Sequence, residues 1–362
     1  MNSNTVYFIY TSNRLPKYAI ASIKLAKKMS GMKIHLIGNF KFKNQITKLK
    51  INFTSIENFY DPKRFEDALK NTRIDKNFRE GFWVKTLERL FILEQFMIKK
   101  KIKSIFHSEI DQLLFRTDKL VEAICKTKKK GLFVPFHNKK NAVASVLFVN
   151  ELSALKSLNQ EAGSDTNYLN EMQLIAKWSK KNPKKIFALP TLATEIKRRA
   201  NILPKNLKSL SSKEIGGIVD AAQLGQWVGG IDLKNVSIFN TPKTKFVDKP
   251  KKWLLSYSDL KKIKFKLIHD DNNKFFLKFK KRNYQVYNLH LHSKIHHNIF
   301  YKKPSLFSLI SNSNSLKSMR LKGTKIIQLQ GFVLTYFYIF KKDLKNPSEI
   351  YMFFKKRLLN DL

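Results

Sequence analysis

Ile102-Lys103-Ser104-Ile105-Phe106-His107-Ser108-Glu109-Ile110-Asp111 is an apolar run that ends on two acids one residue apart. Its β-branched and aromatic residues predict a short buried strand over 102–106, with His107 to Asp111 at its carboxyl end. A long helix is predicted just before it, over residues 81–100. There Trp83, Leu87, Leu90 and Phe91 fall at i, i+4, i+7 and i+8 and make one apolar stripe. Glu88 and Arg89 share that helix and read either as ligand-facing groups or as a solvated pair.

The same alternation extends toward the N-terminus. Thr5 to Tyr10 reads as a strand, Pro16 opens a helix that runs to Met29, and Gly31 caps it. Lys33 to Ile37 is a second strand, closed by Gly38-Asn39, and Leu49 to Ile56 a weaker third. Strand–helix–strand order implies a parallel sheet with helices on its faces. Further along, Leu113–Phe115, Leu132–Phe136, Ala144–Val149, Phe275–Phe279 and Tyr284–Leu291 are predicted strands, and Asp165 is the expected cap of a helix from Tyr168 to Ser179. The expected organisation is an α/β domain over residues 1–297 and a basic, aromatic-rich, helical extension over 298–362, with no internal repeat.

Composition bounds the partners. A chain of 362 residues, 43% hydrophobic and 12% aromatic, can bury a large core, and 29 Phe against 12 Gly and 10 Pro exclude a low-complexity chain. The single cysteine, Cys125, forbids an internal disulfide and argues against structural zinc, so a reducing, cytoplasmic setting is expected. No signal peptide is predicted, and no stretch reaches the ~20 apolar residues of a spanning helix. The formal charge of +43 comes from 59 Lys and 11 Arg against 27 acids and is spread along the chain. Arg, not Lys, leads in sequence-reading nucleic-acid binders, so specific nucleic-acid recognition is not expected. The charge reads as a background that draws anions weakly and in a salt-dependent way.

Three segments carry candidate chemistry. Glu109 and Asp111 stand where ligands bind in open α/β sheets, outside the carboxyl ends of strands. If the backbone stays extended they share a face, and a hard divalent cation supplies the counter-charge they need. The second segment, His290-Leu291-His292-Ser293-Lys294, would align His290, His292 and Lys294 on one face of a strand. A neutral imidazole can then complete a cation's shell and Lys294 can hold a phosphate. The third runs from Gly216 to Asp232 and holds Asp220, Gln226, Gly229, Gly230 and Asp232. Asp220 and Gln226 could contact sugar hydroxyls, Asp220 could act as a general base, and Gly230 permits close backbone approach. Against these stand an exposed acidic turn, a His-rich strand end and a helix from Val219 to Trp227 with a glycine cap. Neither a Walker loop nor a dinucleotide fingerprint is present.

In their order along the chain these segments resemble the nucleotide-sugar-dependent glycosyltransferases of the GT-A fold. The resemblance covers roughly residues 5–295 and has Glu-x-Asp where Asp-x-Asp is commoner. It implies a GT-A-like (Rossmann-like) mixed α/β sheet flanked by helices, with Mn²⁺ or Mg²⁺ held by Asp111, Glu109 and His292. It also implies substrate contacts at Glu109, Arg89, Gln226, Gly230, Asp232 and Lys294, and a catalytic or sugar-contacting Asp220. The implied partners are a nucleoside diphosphate sugar donor and a glycan, lipid-linked or protein acceptor. The tail, which the resemblance leaves uncovered, mixes aromatic residues with Lys and Arg over 331–342 and 351–359 and reads either as a peripheral contact at the inner face of an anionic membrane or as apolar helices packed on the catalytic domain. The alternative is a non-catalytic basic α/β module that grips nucleic acid or anionic membrane.

Overall fold

The computed structural model describes residues 4–225 apart from positions 13, 71, 166 and 198, the backbone of 263–268, and residues 274–291. The chain opens with β1 (Thr5–Tyr10), α1 (Lys17–Met29), β2 (Lys33–Gly38), α2 (Lys43–Thr47), β3 (Asn52–Ser55) and α3 (Lys63–Lys70). The long α4 (Phe82–Lys99) leads into β4 (Ile105–Ser108) and β5 (Gln112–Leu114), then α5 (Thr117–Lys126), β6 (Leu132–Asn138), β7 (Asn141–Ala142) and β8 (Val146–Val149). Next come α6 (Leu152–Ser164), α7 (Glu171–Lys181), β9 (Ile186–Leu189), α8 (Leu192–Ile196), β10 (Lys208–Ser209) and α9 (Ser212–Ile215). The later strands are β11 (Ile263–Ile268), β12 (Lys274–Phe279), β13 (Arg282–Gln285) and β14 (Asn288–His290).

The expected fold class is observed: a nine-stranded mixed sheet in the order β10-β9-β6-β8-β4-β1-β2-β3, with β7 on β6 and helices on both faces. Its pairings are parallel except at β7 and at β8, which runs antiparallel to both β4 and β6. Alternation along β1 sends Val6 and Phe8 into one apolar layer with Ala19, Ile23 and Leu120. Tyr7 and Ile9 enter the opposite layer with Leu90, Leu155 and Ile175. Burial on both faces explains why the strands read as continuous apolar runs. On the second layer the carboxylate of Glu94, 1% exposed, ties three helices together. It accepts from Arg64 Nη1 of α3 at 2.5 Å and from Asn159 Nδ2 of α6 at 2.7 Å.

Among the boundaries that differ from the expectation, three have a clear local reason. The strand before the acids starts at Ile105, because the end of α4 claims Ile102: its N–H donates to the Met97 carbonyl at 2.9 Å, with Lys101 left-handed at φ 51°. Asn170, not Asp165, caps α7, accepting from the Gln173 N–H at 3.0 Å, while Asp165 pairs with Lys177 at 2.9 Å. The predicted strand Tyr284–Leu291 is two strands, because the chain changes partner: β13 pairs with β12, and β14 pairs with β5.

The first part of the glycine-rich segment lies against those two strands. Ile218 bridges to Val286, and a Cβ on Gly225 would collide with the His290 carbonyl. Replacing Gly225 with alanine is therefore expected to cost about 1–3 kcal/mol in urea denaturation. Wild-type stability in that variant would show that the segment does not press on His290. Gln226, Gly230, Asp232, His292, Lys294 and the expected extension 298–362 lie outside the described residues. Among the described residues, no helix is long and apolar enough to cross a membrane.

Candidate metal centre

The sheet brings the two acids and a distant imidazole together. Ile110 enters the core, 7% exposed, but the backbone does not stay extended: Glu109 to Asp111 form the turn between β4 and β5, closed by the Gln112 N–H donating to the Glu109 carbonyl at 3.3 Å. The Glu109 N–H donates to the Ser145 carbonyl at 2.8 Å, which anchors the strand end. β5 then pairs antiparallel with β14 in a register that sets Gln112 opposite His290. His290 Nε2 lies 3.4 Å from Glu109 Oε2 and 3.5 Å from Asp111 Oδ1. One ligand atom from each of these three residues falls within 4.8 Å of the others.

Further charged groups surround the cluster. Arg89 of α4 gives its guanidinium to Glu109, Nη2 to Oε1 at 2.5 Å, and both side chains are only 12–13% exposed. Glu109, Glu171 and Asp111 all hold the Arg89 charge in place against its burial. Glu171 is 4% exposed, and burial pushes its carboxyl up to about 7 against the pull of Arg89 and the Thr86 hydroxyl, which donates to Oε2 at 2.7 Å. The guanidinium pairs with Glu109 and feels the charges of Glu171 and Asp111 from further off. His107 adds no positive charge: burial, then Arg89, push it down to about 3, and its Nδ1–H donates to the Tyr7 carbonyl at 3.0 Å. The cluster fits a divalent cation: two carboxylate oxygens and one imidazole nitrogen around one point. The nitrogen favours Mn²⁺ over Mg²⁺, which prefers an all-oxygen shell.

A buried polar frame holds His290. Asn288, fully buried on β14, donates from Nδ2 to Gln112 Oε1 at 2.8 Å and to the Asp220 carbonyl at 3.1 Å, and accepts the Asp220 N–H at 2.9 Å. The Asp220 carboxylate accepts three backbone N–H groups, from Leu224 at 3.0 Å, Gly225 at 2.7 Å and His290 at 3.0 Å. Burial raises its carboxyl and those three donors oppose the rise. The residue read from sequence as a sugar contact or general base therefore accepts from the Leu224 amide at Oδ1 and from the Gly225 and His290 amides at Oδ2. It also lines a small cavity with Phe136, Thr191 and Gln223.

The structure joins Glu109, Asp111, Arg89 and His290 in one cluster and sets Asp220 behind it. Arg89 is not the solvated partner of Glu88: it crosses to Glu109, while Glu88 is held up by burial beside Tyr60. Thr86 and Glu171 carry no signal in the sequence, because an acid at the first turn of a helix after Asn170 reads as ordinary capping.

The chain matches no family model and no curated protein. Among solved structures it is similar to mouse xyloside xylosyltransferase 1 in its apo form, at 9% identity over 52% of this chain and 85% of that one, with a TM-score of 0.38. It is similar to the galactosyltransferase LgtC in complex with donor and acceptor sugar analogues, at 14% identity over 47% and 69% of the two chains, TM-score 0.32. It is also similar to CMP:2-keto-3-deoxy-manno-octonic acid synthetase complexed with CTP, at 9% identity over 51% and 88%, TM-score 0.31.

Proposed function

We propose that this chain is a metal-dependent glycosyltransferase that moves a sugar from a nucleoside diphosphate donor to a glycan, lipid-linked or protein acceptor. The observation that carries the reading is the meeting of Glu109, Asp111 and His290 just beyond the carboxyl end of β4. A bound cation would neutralise charge on the departing diphosphate. Asp111 and His290 would hold it, and Glu109, aligned by Arg89, would share the ion or take the ribose. Asn288 and Asp220 fix the backbone from which His290 projects. Lys294 as a phosphate contact, Gln226, Gly230 and Asp232 as substrate contacts and His292 as a second imidazole are proposed from their place in the motifs alone. The basic surface would draw an anionic donor and hold the protein at the inner face of an anionic membrane, in the cytoplasm.

A panel of nucleoside diphosphates and their sugars, with and without Mn²⁺, tests the reading by thermal unfolding. A ligand at ~100 times its Kd adds about 2.7 kcal/mol to the native state and should raise the melting temperature by several degrees. The expected result is a rise for one base that requires the metal. A flat panel with Mn²⁺ present rejects the proposal.

A further inference from the structure

A small cavity stands at the same edge of the sheet as the metal centre. Phe136 and His137 line it near the end of β6, and Thr191 lines it from the chain that follows β9. Strand β8 runs antiparallel to both β4 and β6, so those two strands point the same way and their carboxyl ends share an edge. Strand β9 is parallel to β6 and ends there too. Asp220 belongs to both places: it lines the cavity, and its Oδ2 accepts the His290 N–H at 3.0 Å. One carboxylate thus lies between the cavity and the backbone of a candidate metal ligand.

Gln223, three residues after Asp220, also lines the cavity and is 6% exposed. Its amide nitrogen is shut off from solvent and has no acceptor among the described residues. A donor in that state is costly, and buried polar groups seldom stay so. The backbone that delivers it is unusual as well: Ala222 is left-handed, φ 82°, which residues with a side chain rarely adopt. The cavity measures about 10 Å³, and one water needs ~10–15 Å³ on that scale, so it takes a group about the size of a hydroxyl. An apolar group there would leave the amide unmatched, and a phosphate would exceed the space and meet the Asp220 carboxylate. A sugar hydroxyl both donates and accepts, and so does a carboxamide. Resting on the donor reading above, we infer that Gln223 is a specificity-determining residue: its amide takes one hydroxyl of the donor sugar while the diphosphate lies on the cation. A nucleoside diphosphate alone leaves that hydrogen bond unmade.

The test is calorimetry on the full chain with saturating Mn²⁺. The ligands are UDP with UDP-glucose, UDP-galactose and UDP-N-acetylglucosamine, GDP with GDP-mannose, and the monodeoxy forms of the sugar that binds. Q223L should raise the Kd of the sugar form about tenfold and leave that of the diphosphate within about twofold, the scale of one neutral hydrogen bond. In wild type one monodeoxy form should bind about tenfold more weakly than its parent, and Q223L should not separate the two, because both changes remove the same bond. The deoxy series on wild type needs no variant and decides the matter even where Q223L folds poorly. Equal losses of diphosphate and sugar form in Q223L, the mark of a residue that only shapes the chain around Gly225, overturn the inference alone. So does a flat deoxy series, or a Q223L that binds both ligands as wild type does, the result if water fills the cavity. A wild-type chain that binds neither diphosphates nor their sugars overturns the donor reading and this inference with it.

Discussion

Asp111→Asn is expected to weaken Mn²⁺ by more than ~100-fold and to leave the metal-free fold within about 1 kcal/mol of wild type. Groups that only support a metal's ligands cost roughly 10–100-fold when removed, and a direct charged ligand costs more. Asp111 Oδ1 lies 3.5 Å from His290 Nε2, so without it the site keeps one carboxylate, and that one is already shared with Arg89. The small stability change follows from the surroundings. Asparagine has the same shape, and the variant removes one of three acids whose charges reach a single guanidinium. Isothermal calorimetry with Mn²⁺, and urea denaturation in EDTA, give the two numbers. Retained Mn²⁺ affinity would remove Asp111 from the centre, and a stability loss of several kcal/mol would make it a structural residue.

Much of this arrangement was legible along the chain, and what was hidden has a common cause. Local signals placed β1, α1, β2 and α4, because each carries its own periodicity and its own stop: Gly31 after α1, Gly38 after β2, Gly81 before α4. They also placed Glu109 and Asp111 together at a strand end. They could not say that His290 meets those acids, since the sequence offers several late histidines and the choice depends on the pairing of β14 with β5. Nor could they show that Asp220 spends its oxygens on the Leu224, Gly225 and His290 amides, which is a matter of where two distant segments touch. Glu171 is the extreme case. Its hydrogen-bond partner Thr86 lies on α4, 85 residues earlier in the chain, and only the packing of α7 on α4 brings the acid to it.

Glu171 also makes stability depend on pH in a direction opposite to that of a salt-bridged surface acid. Burial lifts its carboxyl from the model-peptide 4.5 to about 7, more than Arg89 and Thr86 pull it back. A folded state that binds the proton more tightly than the unfolded chain gains stability at low pH. That gain is fully present below about 4.5 and is lost as pH rises through about 7. In E171Q the titration is gone, so the two proteins should have similar dependence on every other group and differ only by this one. At about 1.36 kcal/mol for each unit, the metal-free wild type should lose up to about 3 kcal/mol relative to E171Q between pH 4.5 and pH 8. Urea denaturation of both proteins in EDTA at pH 5 and pH 8 measures the difference directly. The midpoints should converge at the lower pH and separate at the higher, with E171Q the more stable. Parallel midpoints at the two pH values would mean that Glu171 is ionised throughout. The Arg89 charge would then outweigh burial.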